Sequence, residues 1–117
     1  MRELVIAGHR IADDTPPWVC AEIGNNHGGS VELCKQMIKA AAEAGCSAVK
    51  LQKRDNASLY TPEMLAMPYE NPNSFGRTYG EHRMAQEFGW DEYQELRNYA
   101  RTLDILFFAT AFDIPSA

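Results

Sequence analysis

The run WVCAEIGNNHGGSVELCKQMIKAAAEAGCSAVKLQK, residues 18–53, decides the fold. Trp18 to Gly24 is strand-like and is closed by Gly24-Asn25-Asn26-His27-Gly28-Gly29. Paired glycines directly after a strand mark a tight, exposed turn. Ser30 is suited to cap a helix, and Glu32 falls in its first turn, where a carboxylate complements the helix dipole. Cys34, Met37, Ile38, Ala41 and Gly45 recur at intervals of three and four residues, one face of a helix that Gly45 stops. Ala48-Val49-Lys50-Leu51-Gln52 follows at once as a second strand. Strand, helix and strand over this length predict two parallel strands joined by a right-handed crossover.

Working outward, Leu4 to Ala7 reads as a short strand turning at Gly8, with a polar connection running on to Pro16 and Pro17. Residues 1–16 are therefore an N-terminal β element. From Lys53 to Gly89 the pattern is irregular, broken by Pro62, Pro68, Pro72, Gly76 and Gly80. So long a segment usually carries function or small elements of its own. Asp91 caps a second helix with an apolar stripe of Tyr93, Leu96, Ala100 and Leu103, and Ile105 to Phe112 is a third strand. Strands alternating with helices predict an α/β fold with a parallel sheet. Phe107, Phe108 and Phe112 lie on a last strand with no following helix to cover it. Residues 17–117 read as the first part of a (β/α)8 TIM barrel, with about three of its strands.

Composition narrows the function. The chain has 117 residues and a formal net charge of -5, with 11 Lys and Arg against 16 Asp and Glu. That balance argues against a nucleic-acid surface and leaves any anion to a local cluster of cations. No apolar run approaches the roughly 20 residues of a membrane span. The N-terminus lacks the apolar core of an export signal, and Cys20, Cys34 and Cys46 form no CxxC pair. Three reduced, mostly buried thiols in a cytoplasmic protein are the expectation.

Strand alternation carries the functional argument. Val49 and Leu51 share one side of their strand and suit packing under helices, which leaves Lys50 and Gln52 on the other. Glu22 lies opposite Val19, Ala21 and Ile23, and Thr110 lies with Phe108 opposite Phe107 and Ala109. Each polar residue is near the C-terminal end of its strand, where parallel barrels build their sites. Glu22, Lys50, Gln52 and Thr110 are therefore expected to converge. Taken singly, a strand-end glutamate is commonly a solvated rim residue and a threonine is commonly a core or rim hydroxyl. Lys53 and Arg54 extend the cation cluster beyond Lys50, or else form a solvated loop face.

The histidines carry less. His27 sits in a turn of a kind that can bind anions, but Gly-x-x-x-Gly-Gly matches neither nucleotide-loop pattern, and no partner stands at zinc-ligand spacing. His82, followed by Arg83, is either part of a surface pair or a substrate contact, and His9 reads as structural.

Four motifs in order resemble the sialic acid synthase family, the phosphoenolpyruvate-dependent synthases of nine-carbon 2-keto sugar acids. They are Ala21-Glu22-Ile23-Gly24-Asn25-Asn26-His27-Gly28-Gly29, Val49-Lys50-Leu51-Gln52-Lys53-Arg54-Asp55, Tyr79-Gly80-Glu81-His82-Arg83, and Phe108-Ala109-Thr110-Ala111-Phe112-Asp113. The resemblance implies condensation of phosphoenolpyruvate with an N-acylmannosamine or its 6-phosphate, releasing phosphate. A divalent metal, Mn or Mg, would activate the aldehyde, through ligands on later strands that this chain does not include.

By the same resemblance Glu22 meets the reacting end of the sugar and Lys50 binds phosphoenolpyruvate, supported by Gln52. Thr110 donates to the same anion and Asn73 touches the sugar, with His82 and Arg83 as neighbours. The complete enzyme would be a homodimer, and residues 1–117 alone would be an inactive part of it. Two alternatives stand beside this reading: a non-catalytic piece that oligomerises through its exposed aromatic strand, or a synthase of legionaminic, pseudaminic or another keto sugar acid.

Overall fold

The computed structural model describes residues 1–117. A hairpin comes first, β1 (Glu3–Ile6) pairing antiparallel with β2 (His9–Ala12). Its two-residue turn, Ala7-Gly8, has φ of 48° and 83°, the left-handed geometry that matches the twist of two-residue hairpins. The stretch after Gly8, expected to be a polar connection, is thus a strand, and Ala7 belongs to the turn. Arg10 closes the hairpin by ion pairs to Glu3 at 2.8 Å and Asp14 at 3.0 Å. Leu4, Val5 and Ile6 remain exposed.

The main body is a three-stranded parallel sheet in the order β3 (Cys20–Gly24), β4 (Ala48–Lys53), β5 (Leu106–Ala111). Helix α1 (Val31–Glu43) connects β3 to β4. Ser30 caps it by accepting from the Leu33 amide. At its end Cys46 N donates to Ala41 O and Gly45 N to Ala42 O, both at 3.0 Å. That closing pattern needs a left-handed residue, and Gly45 supplies it with φ 85°.

The irregular segment holds three short helices, α2 (Asn56–Leu59), α3 (Pro62–Leu65) and α4 (Tyr79–Ala85). Each opens on a side-chain cap, from Asp55, Thr61 and Thr78. Helix α5 (Trp90–Thr102) starts one residue before the expected cap, Asp91. Gly89 occupies the cap position, and its amide donates to the Glu92 carboxylate at 2.9 Å. Ile105 and Phe112, expected in the third strand, flank it.

One face of the sheet carries the core. Ile23, Val49 and Leu51 pack against Cys34, Ile38 and Ala41 of α1 and Leu96 and Ala100 of α5, with Phe88 and Ile105 closing the ends. Covering this face removes apolar surface from water at about 25 cal/mol per Å². Tyr93 and Phe107 meet edge-on at its margin, 6.0 Å between ring centres. No helix is long and apolar enough to cross a membrane.

Candidate functional site

Because Val49 and Leu51 are committed to the helix-covered face, alternation turns Cys20, Glu22, Lys50, Gln52, Phe108 and Thr110 to the other. Glu22 and Lys50 are register partners on β3 and β4, and Lys50 Nζ lies 2.9 Å from Glu22 Oε2. Both side chains are partly open to solvent. Lys50 pairs in turn with Phe108, and Gln52 with Thr110.

One irregularity draws the carboxylate and the amide together. The β3–β4 register slips between Glu22 and Gly24, so that Ile23 is an extra residue and Gly24 pairs with Leu51. Gly24 leaves the strand at φ 59°. A methyl group there would lie 3.3 Å from Gln52 Nε2 and 3.3 Å from Glu22 Oε1, so both side chains lean over this one glycine. The four strand residues thus share one face. Thr110 Oγ1 makes no hydrogen bond, and neither does Asn73 to any of the four.

The electrostatics follow from the pairing. The hydrogen bond and charge of Glu22 hold Lys50 above the ordinary lysine value, so it stays a cation throughout neutral pH. Burial pushes the neighbouring Cys20 thiol up, against the opposing pull of Lys50. An ammonium with one carboxylate partner keeps further N–H donors for an incoming anion.

Lys53 and Arg54 do not extend this cluster. Lys53 Nζ donates to Glu87 Oε2 and to Arg54 O, each at 2.9 Å, and the Arg54 amide donates to the same carboxylate oxygen at 3.3 Å. The Arg54 guanidinium is buried and stacks on the Phe112 ring at 3.8 Å. The Lys53 ammonium and the Arg54 amide therefore tie the end of β4 to the segment between α4 and α5, while the Arg54 guanidinium is held by Phe112. Asp113 completes the rim by accepting from the Asp55 and Ser116 amides at 2.7 and 2.9 Å. These bonds outweigh burial and keep its carboxyl below the usual range.

Beside the strand ends lies a cleft of roughly 590 Å³ whose lining includes Asn25, Asn26, Tyr69, Asn73, His82 and Gln86. Asn73 is exposed at its mouth. His82 is buried within the wall, where its Nδ1 accepts from the Phe75 amide at 3.2 Å and its ring packs on Tyr69. Arg83 points elsewhere, donating to the Tyr79 hydroxyl at 2.8 Å. Both amide ends of Asn25 and Oε1 of Gln86 are shielded and unpartnered. Such groups cost on the order of 1–3 kcal/mol each when left unmet.

Asn25, Gln86 and Glu87 were not singled out by sequence reasoning. Asn25 carried a signal, its place directly after a strand end. The other two fall in a segment without periodicity.

His27 is not an anion site. It is 1% exposed, stacks on Phe88 with ring centres 4.1 Å apart, and accepts from the Gly29 amide at 3.0 Å. Burial lowers its pKa to about 4, so the ring is neutral and pins the turn to the core. The close approach of that turn also explains Gly29. Its φ is 82°, and an added methyl would sit 2.0 Å from the Ala85 carbonyl oxygen. No group of three or more His, Cys, Asp or Glu side chains gathers to hold a metal ion.

Comparison with known proteins identifies the family. The model of the NeuB family matches residues 37–117. The N-acetylneuraminate-9-phosphate synthase of Mus musculus is 38% identical over 106 residues, covering 91% of this chain and 30% of that protein. The Drosophila melanogaster protein of the same name is 42% identical over 96 residues, 82% of this chain and 26% of its own length. An N,N'-diacetyllegionaminic acid synthase of Legionella pneumophila is 32% identical over 97 residues, again 82% of this chain and 27% of the other. Among solved structures, the sialic acid synthetase of Leptospira borgpetersenii superposes with a TM-score of 0.72 at 31% identity, over 98% of this chain and 36% of that one. The chain spans about 30% of the length of the mouse relative. The three parallel strands are a portion of a TIM-barrel fold, and the chain belongs to the NeuB family of sialic-acid-type synthases.

Proposed function

We propose that the complete protein condenses phosphoenolpyruvate with an N-acylmannosamine, or its 6-phosphate, to give a nine-carbon 2-keto sugar acid and phosphate. The observation that carries this reading is the in-register Glu22–Lys50 pair, 2.9 Å apart on the uncovered face of a parallel sheet from this family. In the reaction C3 of phosphoenolpyruvate bonds to the aldehyde carbon, and the aldehyde oxygen takes up a proton. Water adds at C2, and the C2–O bond to phosphate breaks.

Lys50 is assigned to the phosphoenolpyruvate anion, for which a compact ammonium with spare donors is suited. Gln52 supports it across Gly24, and Thr110, register partner of Gln52, offers a free hydroxyl to the same anion. Glu22 orients Lys50 and assists proton transfer at the reacting end of the sugar. Asn73, at the mouth of the polar cleft, is assigned to the sugar. A divalent metal, when bound in the complete protein, would supply Lewis-acid activation of the aldehyde. A homodimer in the cytoplasm is the setting proposed, which suits three free thiols.

The 32% identity to a diacetyllegionaminic acid synthase favours a second version of the same reaction, on another acylated amino sugar. Phosphate release decides between them. The full-length protein is incubated with phosphoenolpyruvate, a divalent metal and either N-acetylmannosamine, its 6-phosphate or a 2,4-diacetamido hexose. Release dependent on one of these sugars is expected. Release with none of them would overturn the proposal.

A further inference from the structure

The sheet face that bears Glu22 and Lys50 carries a second cation nearer the strand ends. Arg54 follows Lys50 and Gln52 at the same two-residue spacing, so alternation gives all three one side. The Phe112 amide donates to the Lys53 carbonyl at 3.0 Å, which carries the β4–β5 ladder one step past Lys53 and Ala111. Arg54 therefore stands opposite Phe112 as Gln52 stands opposite Thr110. Its guanidinium stacks on that exposed ring at 3.8 Å.

This guanidinium has no anionic partner. Arg54 is 6% exposed, and its Nε and Nη1 are enclosed without hydrogen bonds. Glu87 meets the Arg54 amide and Lys53, but not the guanidinium. Nη2 is the one nitrogen of the group that is neither enclosed nor hydrogen-bonded. A ring stack occupies the flat face of a guanidinium and leaves its in-plane N–H donors free, so Nη2 marks the open edge. Arg83 lies beside the same corner. Its Nε donates to the Tyr79 hydroxyl at 2.8 Å, and that hydroxyl donates to Tyr60 at 3.4 Å. Burial pushes the Tyr79 hydroxyl up, but its hydrogen bonds with Tyr60 and Arg83 and the charges of Arg83 and Arg54 bring it below its ordinary value. Two guanidiniums and two phenols thus gather with no carboxylate among them.

A guanidinium without a carboxylate favours an incoming anion, and arginine suits phosphate through the donors in its plane. The phosphoenolpyruvate anion is assigned to Lys50, four residues and about 13 Å back along β4, where Glu22 meets the reacting end of the sugar. We propose that Arg54 is a specificity-determining residue whose open edge holds a phosphate on the end of the sugar remote from the aldehyde. Arg83 and Tyr60 border the same corner with donors still unused. The phosphorylated amino sugar is then the substrate class, in preference to the free one. The inference rests on the reading of the protein as an amino-sugar synthase, but binding tests it separately from turnover.

The full-length protein, with a divalent metal, is assayed for phosphate release with N-acetyl-D-mannosamine or its 6-phosphate, each varied against phosphoenolpyruvate. Binding of the 6-phosphate is followed by calorimetry. The parent should use the phosphorylated sugar about tenfold better or more by kcat/KM. Arg54→Met keeps apolar packing on Phe112 without the charge, and should abolish that preference. The kcat/KM of the free sugar and the KM of phosphoenolpyruvate should change less than about twofold. Arg54→Lys retains the charge without the planar fork and should recover only part of the preference. Equal or poorer use of the phosphorylated sugar by the parent would overturn the assignment. So would an Arg54→Met penalty shared by both sugars or carried by phosphoenolpyruvate. If Arg54→Met does not fold, Arg54→Lys and the parent's own discrimination still decide. Binding of the 6-phosphate that depends on Arg54, without release from either sugar, would remove the proposed reaction and leave the subsite standing. Neither binding nor release would remove both.

Discussion

Lys50 Nζ lies 2.9 Å from Glu22 Oε2 because the two residues are register partners on adjacent parallel strands and share the face their aliphatic neighbours avoid. The pair meets without help from any loop. Its position depends only on the alternation of β3 and β4 and on the helices claiming the opposite face.

Exchange at this pair should separate two kinetic constants in the full-length enzyme. Lys50→Ala should raise the KM for phosphoenolpyruvate about tenfold or more, as expected for a lost charge-assisted contact. Glu22→Gln should lower kcat by about a hundredfold, the scale of general acid–base assistance. Steady-state phosphate release measures both, and unchanged constants in both variants would remove the roles. Lys50 also has a stability signature. Its folded pKa is raised, so its contribution is fully present below the ordinary value of 10.5 and lost as pH climbs through the folded value. The urea midpoint of Lys50→Met relative to the parent should therefore hold constant from about pH 6 to 9 and converge only in strong alkali.

His27 works in the opposite direction. Its folded pKa is about 4 against 6.5 in its ordinary state, so unfolding takes up a proton as pH falls below 6.5. Stability should decline from there to about pH 4, by up to about 3 kcal/mol at 1.36 kcal/mol per unit. His27→Gln, less stable at neutral pH because the Phe88 stack is lost, should show a flatter dependence of urea midpoint on pH over the same range.

Two glycines with nearly the same backbone should behave differently. Gly29 and Gly45 have φ of 82° and 85°, but nothing lies within 4 Å of a methyl on Gly45, whereas the Ala85 carbonyl is 2.0 Å from one on Gly29. Gly45→Ala should cost about 1–2 kcal/mol, the left-handed strain alone. Gly29→Ala must also move backbone and should cost at least about 2 kcal/mol more. Chemical denaturation of the two variants gives the difference directly.

Glu87 should matter more than its place in an aperiodic segment suggests. Its side chain is 14% exposed and accepts from both Lys53 Nζ and the Arg54 amide. Glu87→Ala leaves the Arg54 amide unmet and the partly buried Lys53 ammonium with only the Arg54 carbonyl, a loss of about 2 kcal/mol. Faster hydrogen exchange at Arg54 and Asp55 in the variant would report loosening of the β4 rim. Unchanged exchange and stability would mean that Glu87 is not the tie described.

What the sequence determined by itself is the part governed by short periods. The spacing of Cys34, Ile38 and Ala41 fixed α1, and the alternation of Val49, Lys50, Leu51 and Gln52 set which side chains face the helices. Glu22 and Lys50 could therefore be assigned to one face before any contact was known. Tertiary structure decided the rest. Whether Lys53 and Arg54 were free cations depended on Glu87, more than thirty residues away, and on Phe112. His27 became a core residue because Phe88 stacks on it, and Asn25 acquired a cleft because α4 ends against Gly29. Local patterns register a residue's own backbone conformation and the side it presents. They carry no record of the distant group that pairs with it, covers it or leaves it unmet.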